Sequence, residues 1–145
     1  MPRRIAQIVH LKASAVAAYK ECHANVWPEV LQQIQECNIR DYSIFFDNER
    51  TLFATFKYVG DDYEGDMQKM AANPKVREWW AMTDGMQESP IEGAVGSAEG
   101  PGWWKVLEEQ GVLSPQRPEV SGATGAPEVA TDAKIESPSS SVMIR

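Results

Sequence analysis

Cysteine and histidine are scarce in this chain. Its two cysteines, Cys22 and Cys37, are too few for the disulfide framework of a small secreted domain. With no third or fourth thiol they offer no cysteine-built zinc site, so reduced thiols are expected. Histidine occurs only as His10 and His23. Positive charge is in short supply as well: 14 Lys and Arg face 21 Asp and Glu, for a net charge of −7, with no local basic cluster. Such a surface repels phosphate backbones, so no nucleic-acid partner is expected. Long apolar runs are missing too. No stretch approaches the ~20 residues of a membrane span, and the apolar run behind the basic start "MPRR" is too short and mixed for a signal-peptide core. These absences predict a soluble, cytoplasmic chain with no membrane contact.

What the chain does have is divided unevenly along its length. From Glu109 onward apolar residues thin out into "LSPQRPEVSGATGAPEVATDAKIESPSSS", which is rich in Pro, Gly, Ser and Thr. A segment of that composition buries too little surface to offset the entropy of ordering it. The expected organisation is therefore one globular domain over residues 1–108 and a disordered tail over 109–145. A second glycine-rich stretch, "IEGAVGSAEGPG" at 91–102, reads as a loop, and no internal repeat is evident.

Within the domain the periodicities alternate in kind. "RIAQIVHLK" sends Ile5, Val9 and Leu11 to one side and Ala6, Ile8 and His10 to the other, as a strand does. Ser14 is a candidate N-cap for a helix over about 15–24, and Pro28 with Glu29 suits the first turn of a second helix reaching about Cys37. Trp27, before the proline, marks a bend. "DYSIFFD" and "TLFATFKYV" alternate as two strands joined by the turn "DNER". The polar "GDDYEGD" leads into a helix at "MQKMAA", Pro74 opens another at "PKVREWWAM", and "WWKVL" at 103–107 reads as a last strand. The order β, α, β, β, α, β predicts an α+β, ferredoxin-like unit. Its sheet has a face and an edge to cover, which two chains pairing into a barrel would achieve.

Chemistry concentrates in few places. Tyr19 and His23 stand four residues apart, on one face of the predicted helix. Tyr42 opens the second strand, and Trp79 with Trp80 lies in the later helix. Converging on the sheet, these would line a small aromatic pocket around one imidazole, whose ordinary pKa of ~6.5 suits it to give and take protons near neutrality. That is equipment for moving protons on a neutral substrate.

The stretches "YKECHANVWPEV", "YSIFFD" and "VREWWAMTDGM", in this order, resemble the signature stretches of the L-rhamnose mutarotase family, over about residues 3–108. The resemblance implies a dimeric ferredoxin-like α/β barrel, hence a homodimer. It also implies interconversion of the α and β anomers of L-rhamnose without cofactor or metal. His23 matches the family's proton-donating histidine, and Tyr19, Tyr42, Trp79 and Trp80 match its sugar-contacting positions. The chain departs from the pattern in two places. The family commonly closes with an "EVF"-like stretch where this chain has "WWKVLEEQGVL" and the polar tail. It often carries a tryptophan where "DDYEGDMQKM" offers only Tyr63 or Met67.

Plainer readings stand beside these. On spacing alone His23 is an ordinary half-buried helix histidine, and His10 is structural. Neighbouring Trp79 and Trp80 point about 100° apart on a helix, so one of them can be pure core. Trp27, Trp103 and Trp104 are assigned to core or interface. Asp47 reads as a turn residue, Asp84 as a helix-end residue, and Glu29 as an anion at a helix N-terminus, though it is also the best carboxylate candidate near the pocket. Cys22 adjoins His23, but consecutive helical residues face apart, against a Cys/His nucleophile. Two further functions remain open: a haem-binding or cofactor-free oxygenase of the same barrel type, with His23 as axial ligand, and a non-catalytic sugar- or protein-binding module.

Overall fold

The computed structural model describes residues 2–114, so the expected disordered tail falls outside the described residues from 115 onward. Strand β1 (Arg3–Leu11) leads through a 3₁₀ turn (Ala13–Ala15) into α1 (Val16–Ala24) and α2 (Pro28–Glu36). A hairpin, β2 (Ile39–Phe46) and β3 (Thr51–Tyr58), is followed by α3 (Tyr63–Ala72), α4 (Pro74–Asp84) and two short strands, β4 (Gln87–Glu88) and β5 (Lys105–Val106). The antiparallel sheet runs β2-β3-β1-β4, and β5 adds to β1 beyond β4. This is the expected α+β, ferredoxin-like arrangement, with the helices on one face of the sheet.

Period-two alternation decides which side chains meet the helices. Ile5, Val9 and Leu11 of β1 and Leu52, Ala54, Phe56 and Tyr58 of β3 are buried. Ile5, Phe56 and Tyr58 join a cluster with Val30, Ile34, Val76 and Trp79, and Val9, Leu11 and Leu52 join another with Ala15 and Tyr19. The opposite face carries Ile8, Phe45 and Phe53, aligned across three strands by the pairings Ile8↔Phe53 and Phe45↔Phe53. Phe45 is 61% and Phe53 42% exposed. His10 lies on this outer face, away from the helices.

Local chemistry explains most element ends and corrects several expectations. Ser14 is not the cap of α1: it lies inside the 3₁₀ turn, and α1 starts at Val16 with no side-chain cap. Helix α3 begins at Tyr63 rather than near Met67, because Asp62 accepts the Gly65 amide at 3.0 Å and so satisfies one of the free N–H groups of the first turn. Pro28 and Pro74 open α2 and α4 as expected, and Asn73 caps α4 through the Lys75 amide. Asp47 is the turn residue it was expected to be, accepting the amides of Glu49, Arg50 and Thr51. Strand β4 was not anticipated, and the last strand is two residues rather than five.

The most consequential irregularity is in β2. Arg40 pairs with Lys57 and Ser43 with Thr55, so Asp41 and Tyr42 together face one residue of β3. Asp41 takes φ 50°, in the left-handed region. This bulge switches the facing of the strand. Ile39 points to the helices before it, and Tyr42, Ile44 and Phe46 do so after it. Without the extra residue, Tyr42 would project from the outer face.

Candidate active site

Between sheet and helices lies a cavity of about 420 Å³, within the usual range for a small-molecule site. Helix α1 supplies Tyr19 and His23, its two buried residues, so the helix's inward stripe is the cavity wall itself. Tyr42 enters from β2 by way of the bulge and lies parallel to Phe56, with ring centroids 5.1 Å apart. Trp79 and Trp80 come from α4. All five residues singled out from the sequence therefore line one cavity.

The rings are closely organised. Tyr19 and His23 stack at 3.9 Å, the edge of Trp79 meets His23 at 5.3 Å, and Trp27 meets Trp79 from behind at 5.3 Å. Trp79 is 2% exposed and Trp80 half-buried, yet both reach the cavity despite their divergent directions. Trp27 supports Trp79 without lining the cavity, as its assignment to the core expected.

The hydrogen bonds of His23 define its chemistry. Nδ1 lies 2.9 Å from the Tyr19 carbonyl oxygen, which can only accept, so Nδ1 carries the proton. Nε2 is then an unprotonated acceptor, and it is enclosed with no partner among the described residues. Burial pushes the imidazole pKa down to about 4, the Tyr19 carbonyl opposing that only in part. His23 is thus neutral at pH 7, with a bare lone pair in the cavity.

Cys22 does meet His23, although adjacent helical positions were expected to keep them apart. Its sulfur is 3.1 Å from Nδ1, and its thiol donates to the same Tyr19 carbonyl at 3.2 Å. Burial raises the pKa of this thiol, so it remains protonated and beside the wrong nitrogen for activation. The phenol pKa values of Tyr19 and Tyr42 are also raised, chiefly by burial, keeping both hydroxyls protonated.

Several lining groups escaped the sequence reading. Gln7 sits on the inner face of β1, Gln87 comes from the unanticipated β4, and Trp103 and Trp104 line the cavity instead of serving only as core or interface. Tyr63 and Met67, both in the stretch lacking the family's tryptophan, line it as well. Period-two reading places Gln7 beside Ile5 and Val9 on the buried face, which was the available signal. For Trp103 and Trp104 there was none, since their position depends on the path of the 91–102 loop. Gly100 lets that loop turn at φ 81°, where a Cβ would sit 2.6 Å from the Val95 side chain. Asp84 anchors the loop through the Ser97 amide and hydroxyl, and Glu29 is exposed outside the cavity. No group of three or more His, Cys, Asp or Glu among the described residues is placed to hold a metal ion, and no described helix is long and apolar enough to cross a membrane.

A family model described as L-rhamnose mutarotase matches residues 4–110 of the chain. The chain belongs to the L-rhamnose mutarotase family. An L-rhamnose mutarotase from Formosa agariphila is 40% identical over 89 residues, spanning 60% of this chain and 83% of that protein. One from Phocaeicola vulgatus is 36% identical over 90 residues, spanning 61% and 84%. The crystal structure of an L-rhamnose mutarotase from Formosa agariphila matches the fold with a TM-score of 0.58 at 31% identity, covering 77% of this chain and 99% of that one. Mutarotases are isomerases, and membership of this family does not favour the haem, oxygenase or binding-module readings.

Proposed function

We propose that this chain interconverts the α and β anomers of L-rhamnose, with His23 and Tyr19 as its proton-transfer pair. The observation that carries the reading is the enclosed, unpartnered Nε2 of His23 in an aromatic-walled cavity. Mutarotation needs one group to take the proton of the anomeric hydroxyl and another to protonate the ring oxygen. Nε2 is the acceptor, and the protonated Tyr19 hydroxyl is the donor. As O1–H gives its proton to Nε2, the C1–O5 bond breaks and O5 takes the phenol proton, leaving the open-chain aldehyde. After rotation about C1–C2, O5 returns its proton to Tyr19 and adds to the other face of C1, while His23 returns the proton to O1. Both protons end where they began. The imidazolium and phenolate that form transiently lie in stacked rings, where opposite charges attract in a poorly solvated space. His23 thus acts first as acceptor and then as the proton donor that the family resemblance implied.

Trp79, Trp80 and Tyr42 are the proposed sugar contacts. Indole faces cover the C–H surface and methyl group of a 6-deoxyhexose, and the Tyr42 hydroxyl, lying near Gln7, holds its alcohols. The activity resides in residues 1–108. A second copy covers the outer sheet face, where Phe45 and Phe53 otherwise present apolar surface to water, and so closes the homodimeric barrel. Free Cys22 and Cys37 suit a reducing cytoplasm.

Saturation-transfer NMR between the two anomeric proton signals of L-rhamnose tests the proposal. The unaltered protein accelerates exchange, and His23→Ala slows it about 10²–10⁴-fold, the range for a positioned acid or base. An unchanged rate in the variant removes His23 from the chemistry.

A further inference from the structure

A buried amide is tolerated when both of its ends find partners, and Gln87, 3% exposed, has both ends committed. The indole Nε1 of Trp103 lies 2.9 Å from Gln87 Oε1. An indole N–H can only donate, so it selects the oxygen of the amide and leaves the NH₂ end to face the other way. That end, Nε2, donates to the Tyr19 hydroxyl oxygen at 3.3 Å. The phenol oxygen is therefore an acceptor on this side, and its own proton is directed elsewhere. Among the described residues the Tyr19 hydroxyl makes no other hydrogen bond, so that proton points into the cavity it lines.

The series has a single allowed polarity. If Tyr19 donated to the glutamine oxygen, the amide would turn over and two donors, the indole N–H and the NH₂, would face each other in a buried place. The backbone holds both members of the series in position. Gln87 pairs with Leu11 across β4 and β1, and the Trp103 carbonyl accepts the Ser89 hydroxyl, which also receives the Ile91 amide.

We propose that Gln87 and Trp103 are positioning residues that set the direction of the Tyr19 hydrogen bond, so that the phenol presents its proton to the ring oxygen of the sugar. This rests on the reading of Tyr19 as proton donor above. Neither residue touches the reacting atoms; each acts through Tyr19.

Gln87→Glu separates direction from packing. It keeps the size of the side chain and an acceptor for the Trp103 indole, but replaces the donor facing Tyr19 with a carboxylate oxygen that draws the phenol proton away from the cavity. Measured by anomer exchange at pH 8, Gln87→Glu lowers kcat at least about tenfold while KM for L-rhamnose stays within about threefold, because the proposed sugar contacts Tyr42, Trp79 and Trp80 are unchanged. A double-mutant cycle supplies the second arm. Trp103→Phe lowers kcat when Gln87 is present and has no further effect in Gln87→Leu, since there is no amide left to orient. A residue that only tied down the loop would instead give equal costs in both backgrounds and a matching rise in KM. Wild-type kcat in Gln87→Glu, or equal costs of Trp103→Phe in the two backgrounds, overturns the proposal while leaving the mutarotase reading in place. Absence of accelerated exchange in the unaltered protein overturns both.

Discussion

Lowering the pH from 7.5 to 5 removes about 2 kcal/mol of folding stability through His23 alone. The folded imidazole has a pKa pushed down to about 4 by burial, whereas the unfolded side chain titrates near its ordinary 6.5. Between those values the unfolded chain binds a proton that the folded chain does not, so protonation draws the equilibrium toward unfolding. Stability from this source is complete above pH 6.5 and falls as the pH drops toward 4. At pH 5 the unfolded imidazole is almost fully charged and the folded one almost fully neutral, and the ratio of the two binding polynomials is about 30, or roughly 2 kcal/mol. Urea unfolding followed by tryptophan fluorescence reads this directly, because Trp79 meets His23. With a typical urea slope of 1–3 kcal/mol/M, the midpoint falls by about 1 M. Other groups also titrate. Hydrogen bonds from Tyr58 and Asn38 hold the Asp66 carboxyl below its ordinary range, so its loss of stability begins only under that range. Burial raises Asp84. The quantity to measure is therefore the difference between the unaltered protein and His23→Gln, in which those contributions cancel. A parallel loss in both proteins between pH 7.5 and 5 would show that His23 is not held neutral, and the bare-acceptor role of Nε2 would go with it.

Other outcomes follow from the same geometry. Tyr19→Phe keeps the ring stack on His23 but removes the phenol proton, so anomer exchange slows by about 10²–10⁴-fold, while urea unfolding shows a cost of about 1–3 kcal/mol because the Gln87 amide loses its acceptor. Trp79→Ala enlarges the site cavity toward Trp27 and costs about 3–5 kcal/mol in urea unfolding, a loss Trp80→Ala does not match because Trp80 is only half-buried. Phe53→Glu places a charge at the centre of the outer sheet face; light scattering coupled to gel filtration then gives a monomer where the unaltered chain gives a dimer. Deletion of residues 115–145 leaves the rate of anomer exchange and the proposed dimer nearly whole, and loss of dimerisation on truncation would assign the tail a part in assembly.

Local sequence determined the elements whose cause is local. Alternation in β1, β2 and β3 divided the sheet into a buried and an outer face, prolines placed the starts of α2 and α4, and the i,i+4 spacing brought Tyr19 and His23 onto one stripe. Only tertiary structure decided the polarity of the site. The facing of Tyr42 depends on a bulge whose extra residue is defined by pairing with β3. The short β4 exists because β1 offers it an edge at His10 and Leu11, which no two-residue window reveals. Trp103 and Trp104 reach the cavity through the fold of the loop before them, some eighty residues from His23 in sequence. The pKa and free lone pair of His23 arise from burial and from the carbonyl that holds Nδ1. Spacing can name an imidazole, but desolvation and hydrogen-bond direction are properties of the space around it.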